Sequence, residues 1–341
     1  MTSRFIVREA AALANLELTI AVSDYDHVRD FASGVVRAEG IDANFLTLTI
    51  EEIFSRFVKY REWQVSEVSA AKYVALRSRG DDSLSAIPVF PSRAFRHSCI
   101  YVRGDSNIRS PGELRGKKVG YPEWAQTAGI YARALLTHDY GVPLSEIDWR
   151  QAGVAQAGRK EKVALDLPEG IKTTSMPERS LNEMLLSGEI DAVITAHPLP
   201  AFMAGGGQVS RLVSDYRAVE GEFFRRTGIF PIMHFLAIRG DVLQENPWVA
   251  ANLQAAFEEA KRRSVARMLD PQASRFPMAW TTHSAEAAAE LFGGDPFPYG
   301  VEPNRPTLES FLRYAEEQGV IDRPLAVEDL FEKTVMDRFA V

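Results

Sequence analysis

The sequence predicts an α/β protein built as two lobes, and three observations carry that expectation. Short apolar runs alternate with amphipathic stretches along most of the chain, the pattern of strands and helices around a largely parallel or mixed sheet. At 341 residues the chain is too long for one ordinary hydrophobic core. A second series of strand and helix units starts near Ser110, after a segment rich in proline and positive charge. The expected lobes are residues 1–110 with 225–341, which includes the C-terminal helices, and residues 111–224. The chain should cross between them near 105–115 and again near 210–230.

Taken in order, a polar lead-in precedes a strand over Leu16–Val22 and a turn over Ser23–Asp26, where Asp24 or Asp26 can cap the helix running to Ala32. A second strand is read at Phe45–Ile50. The helix opened by Glu51 puts Ile53, Phe54, Phe57 and Val58 on one face. Val65–Ser69 is short and extended, and a helix follows through Tyr73 and Leu76. Ile87–Val102 then begins as an edge strand broken by Pro88 and Pro91 and ends in a run, HSCIYV, that reads as a buried strand.

In the second unit, Lys118–Tyr121 is a strand, and the helix over 126–140 has Thr127 near its start, where free N–H groups offer a seat for an anion. Residues 153–170 read as a polar connection. Ser180 and Glu183 form a capping box ahead of LNEMLLSG, and Ile190–Thr195 is a strand from which His197-Pro198 turns away. Gly205-Gly206-Gly207 lacks the Lys-Ser/Thr of a phosphate loop. An apolar strand over Phe230–Ile238 carries His234 in its middle, and the remainder is mainly helical.

Composition narrows the function. The net charge of −7 disfavours nucleic acid or an anionic membrane as partner, so an anionic ligand needs a local positive pocket. Arg93, Arg96 and His97 lie within five residues of one another and supply that charge. A guanidinium grips a carboxylate through a planar fork, and an imidazole moves a proton near neutral pH. The plainer reading is a solvated turn whose arginines pair with acids. Cys99, the single cysteine, reads as an inert core thiol. The N-terminus has no uninterrupted apolar region, and no stretch approaches the roughly 18 apolar residues of a membrane span, so a cytoplasmic protein is expected.

The six histidines form no HxH or HExxH pair; no metal site is expected, although one gathered from distant histidines stays open. The GxSxG elbow, the Walker loop and a GxGxxG after a strand are all missing, which argues against nucleotide and nicotinamide chemistry. Ligands of open α/β sheets gather beyond the carboxyl ends of the strands. That rule favours Asp24, Asp26 and His197, while Tyr121 and Trp124 can either stack on an aromatic ligand or pack between lobes. His234, in an apolar strand, reads first as a buried histidine satisfied by one backbone partner.

The segments SDYDHVR, EVSAAKY, IPVFPSRAFRHSCIYV, GYPEWAQTAG, GEIDAVITAHP, RRTGIFPIMH and PYGVEPNR resemble the 4,5-dihydroxyphthalate decarboxylase family, from about Leu16 to Phe331. RHSCIYV and GIFPIMH are the most specific of these. Ser23, His197 and Glu123-Trp124-Ala125 depart from the residues that family carries there. The resemblance implies a two-lobed, periplasmic-binding-protein-like (type II) fold with a ligand cleft between the lobes. It also implies cofactor-independent decarboxylation of a hydroxylated aromatic carboxylate to a product such as protocatechuate. In that reading Arg93 and Arg96 hold carboxylates, with Asp26, Tyr121, Trp124, Thr127 and His197 as further contacts. Asp24 polarises a ring hydroxyl, and His97, slightly ahead of His234, donates the ring-carbon proton. The alternative is a non-catalytic aromatic-acid binding protein of solute-receptor type. Oligomeric state stays open.

Overall fold

The computed structural model describes residues 14–335 apart from 164 and 274. The polar lead-in read at the N-terminus lies outside the described residues. Two mixed sheets organise them. The first contains β1 (Leu16–Val22), β2 (Ile41–Thr47), β3 (Val65–Ser69), β4 (Leu84–Ile87) and a returning strand, β11 (His234–Arg239), in the order β2-β1-β3-β11-β4. β1 runs parallel to β2 and β3, whereas β11 runs antiparallel to β3 and β4. The second sheet contains β5 (Ile100–Arg103), β6 (Lys118–Tyr121), β7 (Asp148–Gly153), β8 (Lys172–Ser180), β9 (Ala192–Ile194) and β10 (Val209–Arg211), ordered β10-β5-β9-β6-β7-β8.

The chain therefore changes sheets between Ile87 and Ile100 and returns between Arg211 and His234. β5 lies within the stretch drawn for the first lobe up to residue 110, yet it pairs with β9 and β10. The expected strand His97–Val102 starts only at Ile100, because His97–Cys99 is a single 3₁₀ turn. β7 and β8 escaped the sequence reading. β8, KTTSMPERS, is mostly exposed on both faces and so shows no apolar alternation.

Helices cover both sheets. α1 (Asp26–Ala32), α2 (Ile50–Tyr60) and α3 (Ala70–Ser78) follow strands of the first sheet; α4 (Thr127–His138), α5 (Leu181–Ser187) and α6 (Pro200–Met203) belong to the second. α7 (Tyr216–Thr227) lies on the return crossing. After β11 come α8 (Gly240–Glu245), α9 (Val249–Leu269), α10 (Thr281–Leu291) and α11 (Arg305–Glu317). α9 is anchored to α1 through Asp30, which accepts from Arg263 and Arg267 at 2.8 Å each. Among the described residues no helix is long and apolar enough to cross a membrane.

Two contacts tie the sheets' helices together. The Thr127 hydroxyl oxygen lies 3.0 Å from the Ser69 hydroxyl and accepts the Ala71 N–H at 3.0 Å, which pins the start of α4 to the end of β3. Gln318, just after α11, accepts from the buried Arg133 guanidinium at 2.8 Å and donates to the Ile130 carbonyl at 2.9 Å. The chain's end is fixed to the first sheet by Tyr73, whose hydroxyl donates to the Leu330 carbonyl and accepts the Ala86 N–H.

Replacing Tyr73 by Phe leaves both of those buried backbone groups without a partner. Urea unfolding should then show a loss of about 1–3 kcal/mol. An unchanged midpoint would mean that the C-terminal tail adds nothing to the first sheet.

Candidate functional site

β3 reads VSEVS, and all five residues are buried. A carboxylate in that position is costly unless hydrogen bonds replace its water. Glu67, fully inaccessible, collects three donors: the Ser23 N–H at 3.0 Å, the Tyr25 hydroxyl at 2.6 Å and His234 Nδ1 at 2.5 Å. The donors come from the end of β1, the loop behind it and the first residue of β11. Since β11 is antiparallel to β3, His234 stands opposite Ser69, two residues from Glu67 on the same face. All these groups cluster at the carboxyl end of the parallel strands, where ligands of such sheets bind.

Burial alone would raise the carboxyl's pKa, but the charge of His234 and the hydrogen bonds from His234, Tyr25 and Ser23 outweigh it and hold Glu67 below the usual range. An ionised Glu67 can only accept, so Nδ1 of His234 carries the proton in this bond. Burial and the neighbouring Glu67 charge push the Tyr25 hydroxyl well above its ordinary range, which keeps it a donor. The His234 ring meets the edge of Phe54 with centroids 4.9 Å apart, and its side chain is 13% exposed. Nε2 makes no hydrogen bond among the described residues. The result is an imidazole oriented at one nitrogen by a carboxylate and open at the other, the arrangement that suits a positioned acid or base.

Two cations are tied to the elements around this pair. Glu51 lies one helical turn before Phe54 on α2 and sits 3.5 Å from Arg159. Arg159 in turn donates to the buried Glu123 at 2.8 Å. Lys72 is in the first turn of α3, whose leading N–H bonds the Met233 carbonyl next to His234. Its ammonium is mostly buried and 3.7 Å from Glu123, with no acceptor in hydrogen-bond range among the described residues.

The residues singled out from sequence are dispersed. The loop carrying Arg93, Arg96 and His97 turns its three cations in different directions. Arg93 is buried, donating to the backbone carbonyls of Pro298 and Phe230 at 2.8 Å each. Arg96 reaches the sulfur atoms of Met233, at 3.1 Å, and Cys99, at 3.6 Å. His97 faces α7, with the Phe223 ring 5.2 Å away and Glu220 at 3.8 Å. Burial lowers the His97 pKa to about 4 and raises that of Glu220 to about 7. His97 is thus neutral near pH 7, and it is not brought to Glu67 and His234.

Asp24 is exposed beside Tyr25. Asp26 is the first residue of α1 and does not cap it; Tyr25 holds the N-cap position without a side-chain cap bond, and Asp26 bonds Ser264, Arg267 and Arg29. Trp124 is fully buried, its indole N–H donating to the Gln318 carbonyl, and Tyr121 packs edge-on against Trp124 and Trp149. Trp124 is engaged in packing, and Tyr121 both packs and lines a cavity with Gln151, Lys160 and Glu178. The Thr127 hydroxyl is engaged by Ser69 and Ala71. His197 is exposed in the turn after β9. Among the described residues, no group of three or more His, Cys, Asp or Glu side chains is placed to hold a metal ion. Sequence reasoning missed Glu67, Tyr25, Lys72 and Arg159. The available signal for Glu67 was an acid amid an otherwise uncharged strand.

No family model matches the chain. A 4,5-dihydroxyphthalate decarboxylase of Comamonas testosteroni is 35% identical over 330 residues, spanning 96% of this chain and 100% of that protein. A protein of the same name from Pseudomonas putida is 37% identical over 221 residues, 64% of this chain and 86% of that one. Among solved structures, the periplasmic aliphatic sulphonate binding protein SsuA from Escherichia coli superposes with a TM-score of 0.54 at 13% identity, covering 94% of this chain and 99% of that one. The fold is accordingly the two-lobed α/β fold of periplasmic binding proteins.

Glu220 offers a test of the electrostatics around His97. Its carboxyl is held protonated in the folded state up to about pH 7 and titrates near 4.5 when unfolded. Its favourable contribution is therefore present at low pH and lost as pH rises through about 7. Glu220→Gln should gain melting temperature relative to the parent as pH goes from roughly 5 to 8. A difference that stays flat with pH would show that Glu220 is not so displaced.

Proposed function

The chain belongs to the 4,5-dihydroxyphthalate decarboxylase family and is a carboxy-lyase, and we propose that it decarboxylates a hydroxylated aromatic carboxylate such as 4,5-dihydroxyphthalate, with His234 protonating the ring carbon. The observation that carries this reading is the Glu67–His234 pair, with Nδ1 held at 2.5 Å and Nε2 open. Loss of CO₂ from such a ring needs a proton on the carbon that bears the carboxylate. The hydroxyl para to that carbon feeds electron density into the ring as the proton arrives. The carbon–carboxylate bond then breaks, its electron pair restores the aromatic ring, and CO₂ departs. The imidazole that gave the proton regains one from solvent.

Glu67 supports this step in two ways. It fixes the ring so that Nε2 faces outward, and its negative charge stabilises the imidazolium that delivers the proton. Tyr25 and the Ser23 N–H keep the carboxylate in place, which makes them positioning groups. Asp24, exposed beside Tyr25, is the group assigned to the ring hydroxyl. The substrate's carboxylates are assigned to Lys72, whose ammonium has no acceptor in hydrogen-bond range among the described residues, and to Arg159. A small aromatic acid as sole ligand and a cytoplasmic setting are part of the same proposal.

CO₂ release from a panel of hydroxylated phthalates and benzoates tests the reading. His234→Asn should lower turnover by roughly 10² to 10⁴ with little change in the apparent substrate constant. Glu67→Gln should also lower turnover, and His97→Asn should behave like the parent. If His234→Asn turns over normally, the proton comes from elsewhere. A parent protein that binds panel members and releases no CO₂ is a receptor instead.

A further inference from the structure

Arg93 is a buried guanidinium that, among the described residues, has no carboxylate of its own. Its two terminal nitrogens bond backbone carbonyls, Nε has no partner among the described residues, and its plane lies over Phe230 at 4.3 Å. The neighbouring acids Glu258 and Asp295 are taken by Lys261, at 2.7 and 2.5 Å. Beside Arg93 opens a cavity of about 410 Å³, within the range of small-ligand pockets. Its lining includes neither His234 nor Glu67. Three aromatic rings form one wall: Phe292 lies against Phe230, centroids 4.7 Å apart, and against Phe224 at 4.5 Å. Gln254 and Tyr299 line it too, and both are buried with a side-chain oxygen that lacks a partner among the described residues.

We infer that this cavity is a second binding site, for an aromatic monocarboxylate bearing ring hydroxyls. The carboxylate would meet Arg93, the flat ring would lie among Phe224, Phe230 and Phe292, and ring hydroxyls would supply donors for Gln254 and Tyr299. Removing one carboxylate from a hydroxyphthalate leaves this class of molecule, so the site would sense product; that identification rests on the proposed reaction, whereas the cavity does not. The cavity also touches the return crossing. Phe224, Gly228 and Phe230 belong to the segment that delivers His234, Arg93 bridges Ile232 across that segment, and the Ser92 carbonyl accepts the N–H groups of both Met233 and His234. A ligand that shifts Arg93 therefore acts on the backbone that positions His234.

The probe is 3,4-dihydroxybenzoate, followed by calorimetry and as an inhibitor of CO₂ release. The expected result is binding that survives in His234→Asn and weakens roughly tenfold to a hundredfold in Arg93→Met. Inhibition of the parent should carry a non-competitive component that Phe292→Ala removes while its uninhibited turnover stays near that of the parent. If Arg93→Met does not fold, Phe292→Ala decides, because Phe292 is only half buried and its loss is tolerable. Purely competitive inhibition unchanged by Phe292→Ala, binding lost in His234→Asn, or no saturation at millimolar probe would overturn the inference. Binding of this kind in a protein that releases no CO₂ would leave the cavity standing and remove the decarboxylation.

Discussion

The proposed chemistry and the end of the first sheet both depend on one buried carboxylate. Glu67 sits in a strand with no exposed face and is tolerable there because three separate segments each hand it a hydrogen bond. Two of those segments, the end of β1 and the loop after it, belong to the chain's first pass through the sheet. The third, His234, belongs to the strand that returns from the second sheet. An unpaired charge at that depth would cost several kcal/mol. The need to satisfy it therefore couples the outward and returning passes of the chain. The same bonds orient the histidine, so in the proposed reaction the electrostatic demand that shapes the end of the sheet also positions the acid.

Much of the architecture was legible because it follows local rules. β1, β3, β6 and the capped helix α5 appear where apolar period and capping chemistry placed them, and Ser180 and Glu183 do form the reciprocal bonds of a capping box. What was not legible depends on pairing across long distances. Nothing local says that Ile100–Arg103 joins the second sheet, since a four-residue buried strand reads identically in either. The exposed β8 shows no alternation to detect.

The site was half legible for a similar reason. His234 was visible as an odd residue in an apolar strand, but its partner stands 167 positions away. Glu67 looked like a stray acid because a carboxylate is read from sequence as exposed unless its donors are seen. The opposite error affected Arg93, Arg96 and His97. Closeness in sequence suggested one cluster, whereas the loop's proline-fixed turns and the 3₁₀ turn at His97 send the three side chains to a cavity, to sulfur atoms and to α7. Thr127, read at a helix start, has its hydroxyl bound to the end of β3 and the start of α3, partners that lie 58 and 56 positions away.

The central claim is that the proton reaching the ring carbon passes through the imidazole of residue 234. Chemical rescue addresses it directly. His234→Gly removes the imidazole and leaves a space beside Phe54 and Glu67, into which free imidazole can enter. The account predicts that 4,5-dihydroxyphthalate decarboxylation by this variant rises and saturates with added imidazole, and does so far less when Glu67→Gln is also present. A variant that still binds the substrate but gains no turnover from imidazole would contradict the account.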